Sequence, residues 1–260
     1  MQEELTFAMI QFNPVWEKIE DNLVQINRLL NKLQKPVDVI VLPEAFATGF
    51  SMNAPEISQT MNGSIVEWML QTAQKYNAAL AGSVFINENN IFYNRFIWAL
   101  PNRDIATYNK RHLFSMGAEH TAYSNGNQQL IIDYKGWKFF PQICYDLRFP
   151  VWSRNTFNYD VLINVANWPA ARNSVWETLL KARAIENQCY AIGVNRIGTD
   201  GNNIEHIGNS LAINYKGETI AKMGNNTAIE IVTLSKATRN AFVEKFNALN
   251  DTDSFELDFD

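Results

Sequence analysis

Cys144 stands where the apolar run 139–143 gives way to the polar, proline-bounded stretch Cys144-Tyr145-Asp146-Leu147-Arg148-Phe149-Pro150. A strand that stops there would present the thiol as a nucleophile. At its free pKa of about 8.5 a cysteine is only a few per cent thiolate at neutral pH, so it needs a base or a positive neighbour. Two other segments offer both: Val39-Ile40-Val41-Leu42-Pro43-Glu44 and Tyr108-Asn109-Lys110-Arg111-His112-Leu113-Phe114 place a carboxylate and an amine where strands are also expected to end. Glu44, shielded at the end of a buried strand, is suited to take the thiol proton and return it to a leaving amine. Lys110 would hold the oxyanion formed when sulfur attacks a carbonyl, with the backbone N–H of Tyr145 as second donor. The chemistry that follows is acyl transfer to water through a thioester. Taken singly, each residue has a plainer role: a helix-start carboxylate, a solvated lysine, a packed thiol.

These groups can meet only if the segments between them fold in layers. Ile19, Leu23, Ile26, Leu30 and Leu33 recur at steps of four and three, the stripe of an amphipathic helix closed by Lys35-Pro36. A short β-branched strand over 37–42 follows, and Ile65, Met69, Ala73 and Tyr76 mark a second helix behind Asn62-Gly63-Ser64. Strands are expected over 78–85, 91–100 and 105–109, then a long loop from 110 to 127 without period. Residues 130–134 and 137–143 read as a hairpin around Lys135-Gly136 that runs straight into Cys144, although Pro141 removes a ladder donor from its second strand. Beyond it the pattern predicts strand 159–165, helix 175–187, strand 189–196, a hairpin over 210–220, strand 228–234 and a last helix through Phe246. Hairpins interleaved with helices indicate a layered mixed α/β domain.

The chain has 260 residues, 47% of them apolar, and no linker, repeat or low-complexity tract, so a single domain over 1–260 is expected with an acidic, solvated tail at about 250–260. The net charge of -5 and the lack of a basic cluster argue against nucleic acid as a partner. No apolar run is long enough for a bilayer, and no signal peptide precedes the first strand, so no membrane association is expected. With two cysteines only, Cys144 and Cys189, a reducing cytoplasm is the default. His112, His120 and His206 form no HExxH or CxxC-type cluster, so no metal site is expected. A Cys–His pairing through His112 or His120 remains a rival reading, with no local signature around Cys144 to match it. Cys189 reads as core. Trp176, Leu179, Leu180, Ala184 and Ile185 read as core or subunit interface.

Leu42-Pro43-Glu44, Lys110-Arg111-His112-Leu113-Phe114 and Cys144-Tyr145-Asp146-Leu147-Arg148-Phe149-Pro150 resemble, in this order, the three signature blocks of the nitrilase superfamily, the carbon–nitrogen hydrolases. The resemblance implies an αββα sandwich of two mixed β-sheets flanked by helices, pairing into homodimers or larger oligomers. It implies a cofactor-independent Glu-Lys-Cys triad acting on amides, nitriles or carbamoyl compounds, with Glu44 as base, Lys110 as oxyanion holder and Cys144 as nucleophile. Glu119 matches a second family glutamate that positions the lysine or the substrate amide. Cys144 through Asn155, together with Val165-Ala166-Asn167-Trp168-Pro169-Ala170-Ala171-Arg172, looks most like the omega-amidase branch, which converts 2-oxoglutaramate to 2-oxoglutarate and ammonia.

A small amide with a free carboxylate needs a cation opposite it. Arg172 is the first candidate. Arg148 is the second, or else a structural partner of Asp146 or a nearby acid. Trp168, Tyr145, Phe114 and Phe46 would wall the pocket and exclude water. Hydrolases of N-carbamoyl amino acids or deaminated glutathione are the nearest alternatives. True nitrilases fit the Cys-Tyr-Asp run less well, and a catalytically idle scaffold is hard to reconcile with an intact triad.

Overall fold

Along β1 (Glu4–Gln11), Phe7 and Met9 point one way and Ala8 and Ile10 the other, and all four are fully buried. A strand covered on both faces requires two layers, one on each side. The computed structural model describes residues 2–258, so Met1, Phe259 and Asp260, the last two in the predicted tail, lie outside the described residues. Residues 2–258 build both layers.

The first sheet continues with β2 (Val39–Val41), β3 (Ala79–Glu88), β4 (Ile91–Ala99) and β5 (Ile105–Asn109). The second contains β6 (Ile132–Tyr134), β7 (Trp137–Ile143), β8 (Val161–Ala166) and β9 (Tyr190–Asn195). A separate hairpin of β10 (Ile197–Thr199) and β11 (Glu205–Ile207) precedes β12 (Leu211–Ile213) and β13 (Thr219–Lys222), which join the second sheet, and β14 (Ala228–Ser235), which returns to the first. The strand orders are β14-β1-β2-β3-β4-β5 and β13-β12-β9-β8-β7-β6. Both sheets are mixed: β1–β2–β3 and β7–β8–β9 run parallel, the flanking pairs antiparallel.

Phe7, Met9, Val41, Trp98, Phe139, Ile163 and Val194 meet between the sheets. On the outer face of the first sheet, α1 (Ile19–Leu30) and, beyond the short α2 (Ala54–Ile57), α3 (Ser64–Tyr76) cover Ala8, Ile10 and Ile40 through Leu23, Ile26, Val66 and Met69. Two further short helices, α4 (Glu119–Ala122) and α5 (Pro150–Ser153), precede α6 (Asn173–Glu186), which covers the second sheet with Trp176, Leu180 and Ala184. Gly193 of β9 makes this approach possible: a Cβ there would lie 2.4 Å from Leu180 Cδ1. The helix α7 (Lys236–Lys245) is followed by a 3-10 turn (Ala248–Asp251). This is the αββα sandwich that the resemblance implied.

The bounds of the expected strands and helices agree with the structure to within a few residues, while several short elements were not expected, α2 and α5 among them. The loop 110–127 contains a 3-10 turn (Ser115–Gly117) and α4. The hairpin β10–β11 was not foreseen, although Thr199-Asp200-Gly201-Asn202 carries the Asp-Gly turn signal. Pro141 is tolerated because β6 pairs with β7 only as far as Phe139, so β8 is the sole partner of β7 where the proline sits. Of the tail, Leu257 packs on the inter-sheet core, while its neighbours from 251 to 258 are exposed.

Candidate active site

Glu44, Lys110 and Cys144 directly follow β2, β5 and β7, with only Leu42-Pro43 intervening before the first, and all three line one cavity of about 580 Å³. Glu44 and Lys110 are almost fully enclosed, with 1% side-chain exposure each. Lys110 Nζ donates to Glu44 Oε1 at 2.9 Å and to Glu119 Oε1 and Oε2 at 3.0 and 2.9 Å. Asn94 Nδ2 reaches both carboxylates, at 2.8 and 3.3 Å. Glu44 Oε2 accepts the backbone N–H of Asn167 at 2.8 Å, so one carboxylate ties the first sheet to the end of β8 in the second. Glu119, at the start of α4, is fixed by Phe114 N–H at 2.6 Å. The loop returns to hold the lysine: Gly126 N–H donates to Lys110 O at 2.8 Å.

Cys144 has φ +44°, a left-handed backbone that costs a non-glycine residue on the order of 1 kcal/mol. Asp146 maintains this turn. Its buried carboxylate accepts Ile143 N–H at 3.0 Å and Tyr108 O–H at 2.8 Å through one oxygen, and His112 N–H at 2.9 Å and His112 Nδ1 at 2.8 Å through the other. Tyr108 and His112 flank Lys110 in sequence, so Asp146 clamps the lysine segment to the cysteine turn.

Two carboxylates around one ammonium leave the enclosed cluster with formal negative charge. Desolvation opposes the charge on Lys110, but Glu119 and Glu44 outweigh it and raise the ammonium pKa. The Glu119 carboxyl is raised by desolvation and by Glu44, against the pull of Lys110. Desolvation and the Glu44 carboxylate push the Cys144 thiol well above the ordinary cysteine range, while Lys110 draws it down. The sulfur therefore rests protonated, and its proton must leave as it attacks.

Residues 6–242 match the model of the carbon-nitrogen hydrolase family. The chain belongs to the carbon–nitrogen hydrolases. An omega-amidase YafV from Escherichia coli (strain K12) is 44% identical over 254 residues, 97% of this chain and 98% of its own length. A 2-oxoglutaramate amidase from Bacillus subtilis (strain 168) is 35% identical over 229 residues, 86% of this chain and 88% of its own. A crystal structure of a CN-hydrolase superfamily protein from Xanthomonas campestris, 37% identical, superposes with a TM-score of 0.96 over 99% of this chain and 100% of that one.

The cavity of this carbon–nitrogen hydrolase is also lined by Tyr145, Phe114, Trp168, Arg172 and Arg148, as expected from the sequence. Phe46 is not among them. It is fully buried beneath the helices, with its ring centroid 5.8 Å from that of Trp68, and Phe50 stands at the cavity instead, 5.0 Å below Lys110 Nζ. Arg148 is no partner of Asp146, whose oxygens are taken; it lies over the Trp168 ring at 5.2 Å. Arg172 lies over Phe114 at 5.4 Å, and Trp168 Nε1–H holds the Arg172 carbonyl at 2.8 Å. Among the described residues neither guanidinium has a carboxylate partner.

His112 is stacked on Phe149 and bonded to Asp146, and His120 is exposed, so neither supports a Cys–His pair. Cys189 is buried core, as are Trp176, Leu180 and Ala184, while Ile185 is exposed. The sequence reading missed Asn94 and Asn167, although an asparagine inside a largely apolar strand such as β4 signals a buried polar role. It also missed Asp200, Asn202, Ile204 and His206, which reach the cavity from β10–β11.

His206 is 3% exposed, and burial with the nearby Arg196 lowers its pKa from 6.5 to about 4. The unfolded chain therefore binds a proton near pH 6.5 that the folded chain refuses until about pH 4. Stability is fully present above pH 6.5 and falls as the pH drops through this window, by on the order of 3 kcal/mol from this residue. Urea unfolding of His206→Leu at pH 7 and pH 4.5 should show a smaller acid loss than wild type; an equal loss in both proteins would refute this assignment.

Proposed function

We propose that the protein is a cytoplasmic, cofactor-independent amidase in which one domain hydrolyses the terminal amide of small 2-oxo acid amides, 2-oxoglutaramate to 2-oxoglutarate and ammonia. The reading rests on the cavity: Cys144 lines it with Glu44 and Lys110 of the Glu44–Lys110–Glu119 cluster, and two guanidinium groups without carboxylate partners among the described residues, Arg172 and Arg148, line it too. Such a wall favours a substrate with a free carboxylate. The similarity to an omega-amidase over nearly the full length, and to a 2-oxoglutaramate amidase over most of it, supports the same substrate class.

In this mechanism Glu44 takes the Cys144 proton as sulfur bonds to the amide carbon. Lys110 and the N–H of Tyr145 hold the oxyanion, and Glu119 keeps Lys110 in place. Glu44 then gives the proton to nitrogen, the C–N bond breaks, ammonia leaves and a thioester remains. Water, deprotonated by Glu44, attacks the thioester; the C–S bond breaks, the acid leaves and the thiol regains its proton. Tyr145, Phe114 and Trp168 keep the pocket dry, which strengthens the lysine–oxyanion contact. A homodimer or larger homo-oligomer accounts for Val151 on α5 and Ile185 on α6, which stand more than half exposed.

Ammonia release from 2-oxoglutaramate, 2-oxosuccinamate, N-carbamoyl amino acids, deaminated glutathione and simple nitriles tests the proposal. The 2-oxo acid amides should be preferred, and Cys144→Ala should abolish release together with the acyl-enzyme mass adduct. Arg172→Ala should raise KM for 2-oxoglutaramate about tenfold to a hundredfold with kcat less affected, as for a lost charge-assisted contact. Preference for a carbamoyl compound, or turnover that persists in Cys144→Ala, would overturn the proposal. An unchanged KM in Arg172→Ala would move the carboxylate contact to Arg148.

A further inference from the structure

A base must have an open acceptor position for the proton it takes, and most positions on the Glu44 carboxylate are filled. Each carboxylate oxygen offers about two. On Oε1, Lys110 Nζ donates at 2.9 Å and Asn94 Nδ2 at 2.8 Å, so both are occupied. On Oε2, Asn167 N–H donates at 2.8 Å. Asn167 Nδ2 comes no closer to Oε2 than 3.4 Å, because its short bond of 2.6 Å goes to the Glu44 carbonyl. Among the described residues nothing else donates to Oε2, which keeps one position open. The register of β7 and β8 carries that position to the sulfur. Ile143 pairs with Val165 in parallel, so Cys144, one residue on, runs beside Ala166 and the Asn167 N–H that holds Oε2. Cys144, Asn167 and Glu44 line the same cavity.

Asn94 is fully buried in β4, and its backbone carbonyl accepts Lys110 N–H at 2.9 Å. Charge fixes its orientation: Nδ2 spans Glu44 Oε1 and Glu119 Oε1 at 2.8 and 3.3 Å, and a flipped amide would set its oxygen against two carboxylates. In this orientation Oδ1 is buried without a partner among the described residues. A buried polar atom left unpaired in a native protein calls for an explanation, and here it accompanies a donor aimed at the base.

We infer that Asn94 is a positioning residue: by filling the second acceptor position of Glu44 Oε1 it directs the proton taken from Cys144 to Oε2, the oxygen beside the sulfur. From Oε2 the proton passes to the leaving nitrogen, whose carbon is then bonded to that sulfur. This deepens the amidase reading and rests on it for Glu44 as the base. The titratable groups that face Glu44 among the described residues are Lys110 after β5, Glu119 on α4 and Cys144 after β7, with Tyr123 beside Glu119.

Alkylation of Cys144 by iodoacetamide, followed against pH, tests this without amide turnover. Sulfur displaces iodide, the C–S bond forms as the C–I bond breaks, and the thiol proton goes to Glu44; Cys189, sealed in the core, stays out of the reaction. The wild-type rate should rise with pH along an acid limb that Glu44→Gln abolishes. Asn94→Leu removes a donor that favours the ionised carboxylate, so its limb should lie at higher pH, with a rate about tenfold below wild type on the limb and close to it above. Asn94→Asp should show the opposite trend. Its carboxyl, kept neutral at low pH by the two carboxylates beside it, still donates through O–H, and the deficit opens as that proton is lost at higher pH. With 2-oxoglutaramate, Asn94→Leu should lower kcat about tenfold and leave KM little changed, since Oε1 then competes for the proton. An unmoved limb in Asn94→Leu with a native melting temperature overturns the inference, and so does a deficit in Asn94→Asp that is the same at every pH; the Asn94→Asp result decides alone should Asn94→Leu fail to fold. An enzyme that releases ammonia from 2-oxoglutaramate with an unmoved limb keeps its proposed function and loses this role for Asn94; one whose limb moves but which releases no ammonia keeps the role and loses the function.

Discussion

Lys110→Met is expected to lower amide hydrolysis by about 10³-fold, the scale for losing an oxyanion donor, and also to weaken the fold. Methionine keeps most of the apolar stem but leaves Glu44 and Glu119 facing each other in an enclosed site. Breaking a buried ion pair from one side costs about 3–5 kcal/mol. The pH dependence separates this effect from a packing defect. In the wild type the raised Lys110 pKa contributes stability that is complete below the 10.5 of a free lysine and lost as the pH rises beyond it. In the variant the carboxylates lose their cation, so Glu119 is raised further and binds a proton in the folded state that it releases on unfolding. Urea unfolding should therefore show the variant furthest below wild type at pH 8 and closer to it at pH 5. A gap that does not change with pH would assign the loss to packing and would speak against a charged cluster.

Asp146→Ala should have the second largest effect. It strands four buried or half-buried donors, one each on Ile143 and Tyr108 and two on His112, that all converge on one carboxylate. At about 1–3 kcal/mol for each unsatisfied group the fold loses several kcal/mol. The kinetic signature is more specific. Asp146 does not line the cavity but joins the lysine segment to the cysteine turn, so kcat should fall by tenfold or more while KM for 2-oxoglutaramate changes little. Asp146→Asn, which keeps one acceptor oxygen, should recover part of kcat. A rise in KM with kcat intact would place Asp146 in substrate binding.

The catalytic candidates were legible in the sequence because each follows a segment that reads as strand, and a strand end is a local property. The layers were legible for the same reason: the periods of α1 and α3 and the β-branched runs of β2 and β8 state which faces are covered. Contacts across the two sheets were not. Nothing local to Asn167 shows that its N–H meets Glu44 more than a hundred residues earlier, and nothing local to Phe46 shows that it turns toward α3 while Phe50 turns toward the lysine. The sequence placed Arg148 near Asp146 because they are neighbours in the chain. The fold separates them because Asp146 is wanted by Tyr108 and His112, whereas Arg148 finds the face of Trp168. His206 was missed because a lone histidine carries no pattern, and only the folded hairpin brings it to the cavity.

The resting state of Cys144 has a chemical consequence. Hydrogen peroxide and alkylating reagents attack the thiolate, and desolvation, followed by the Glu44 carboxylate, keeps that species scarce. A sulfur that gives up its proton only while bonding to a carbonyl carbon is a slow target for oxidants between turnovers. With Cys189 sealed in the core, the protein has no partner thiol to rescue an oxidised Cys144. The same enclosure that makes Glu44 necessary as a base thus preserves the nucleophile from irreversible damage.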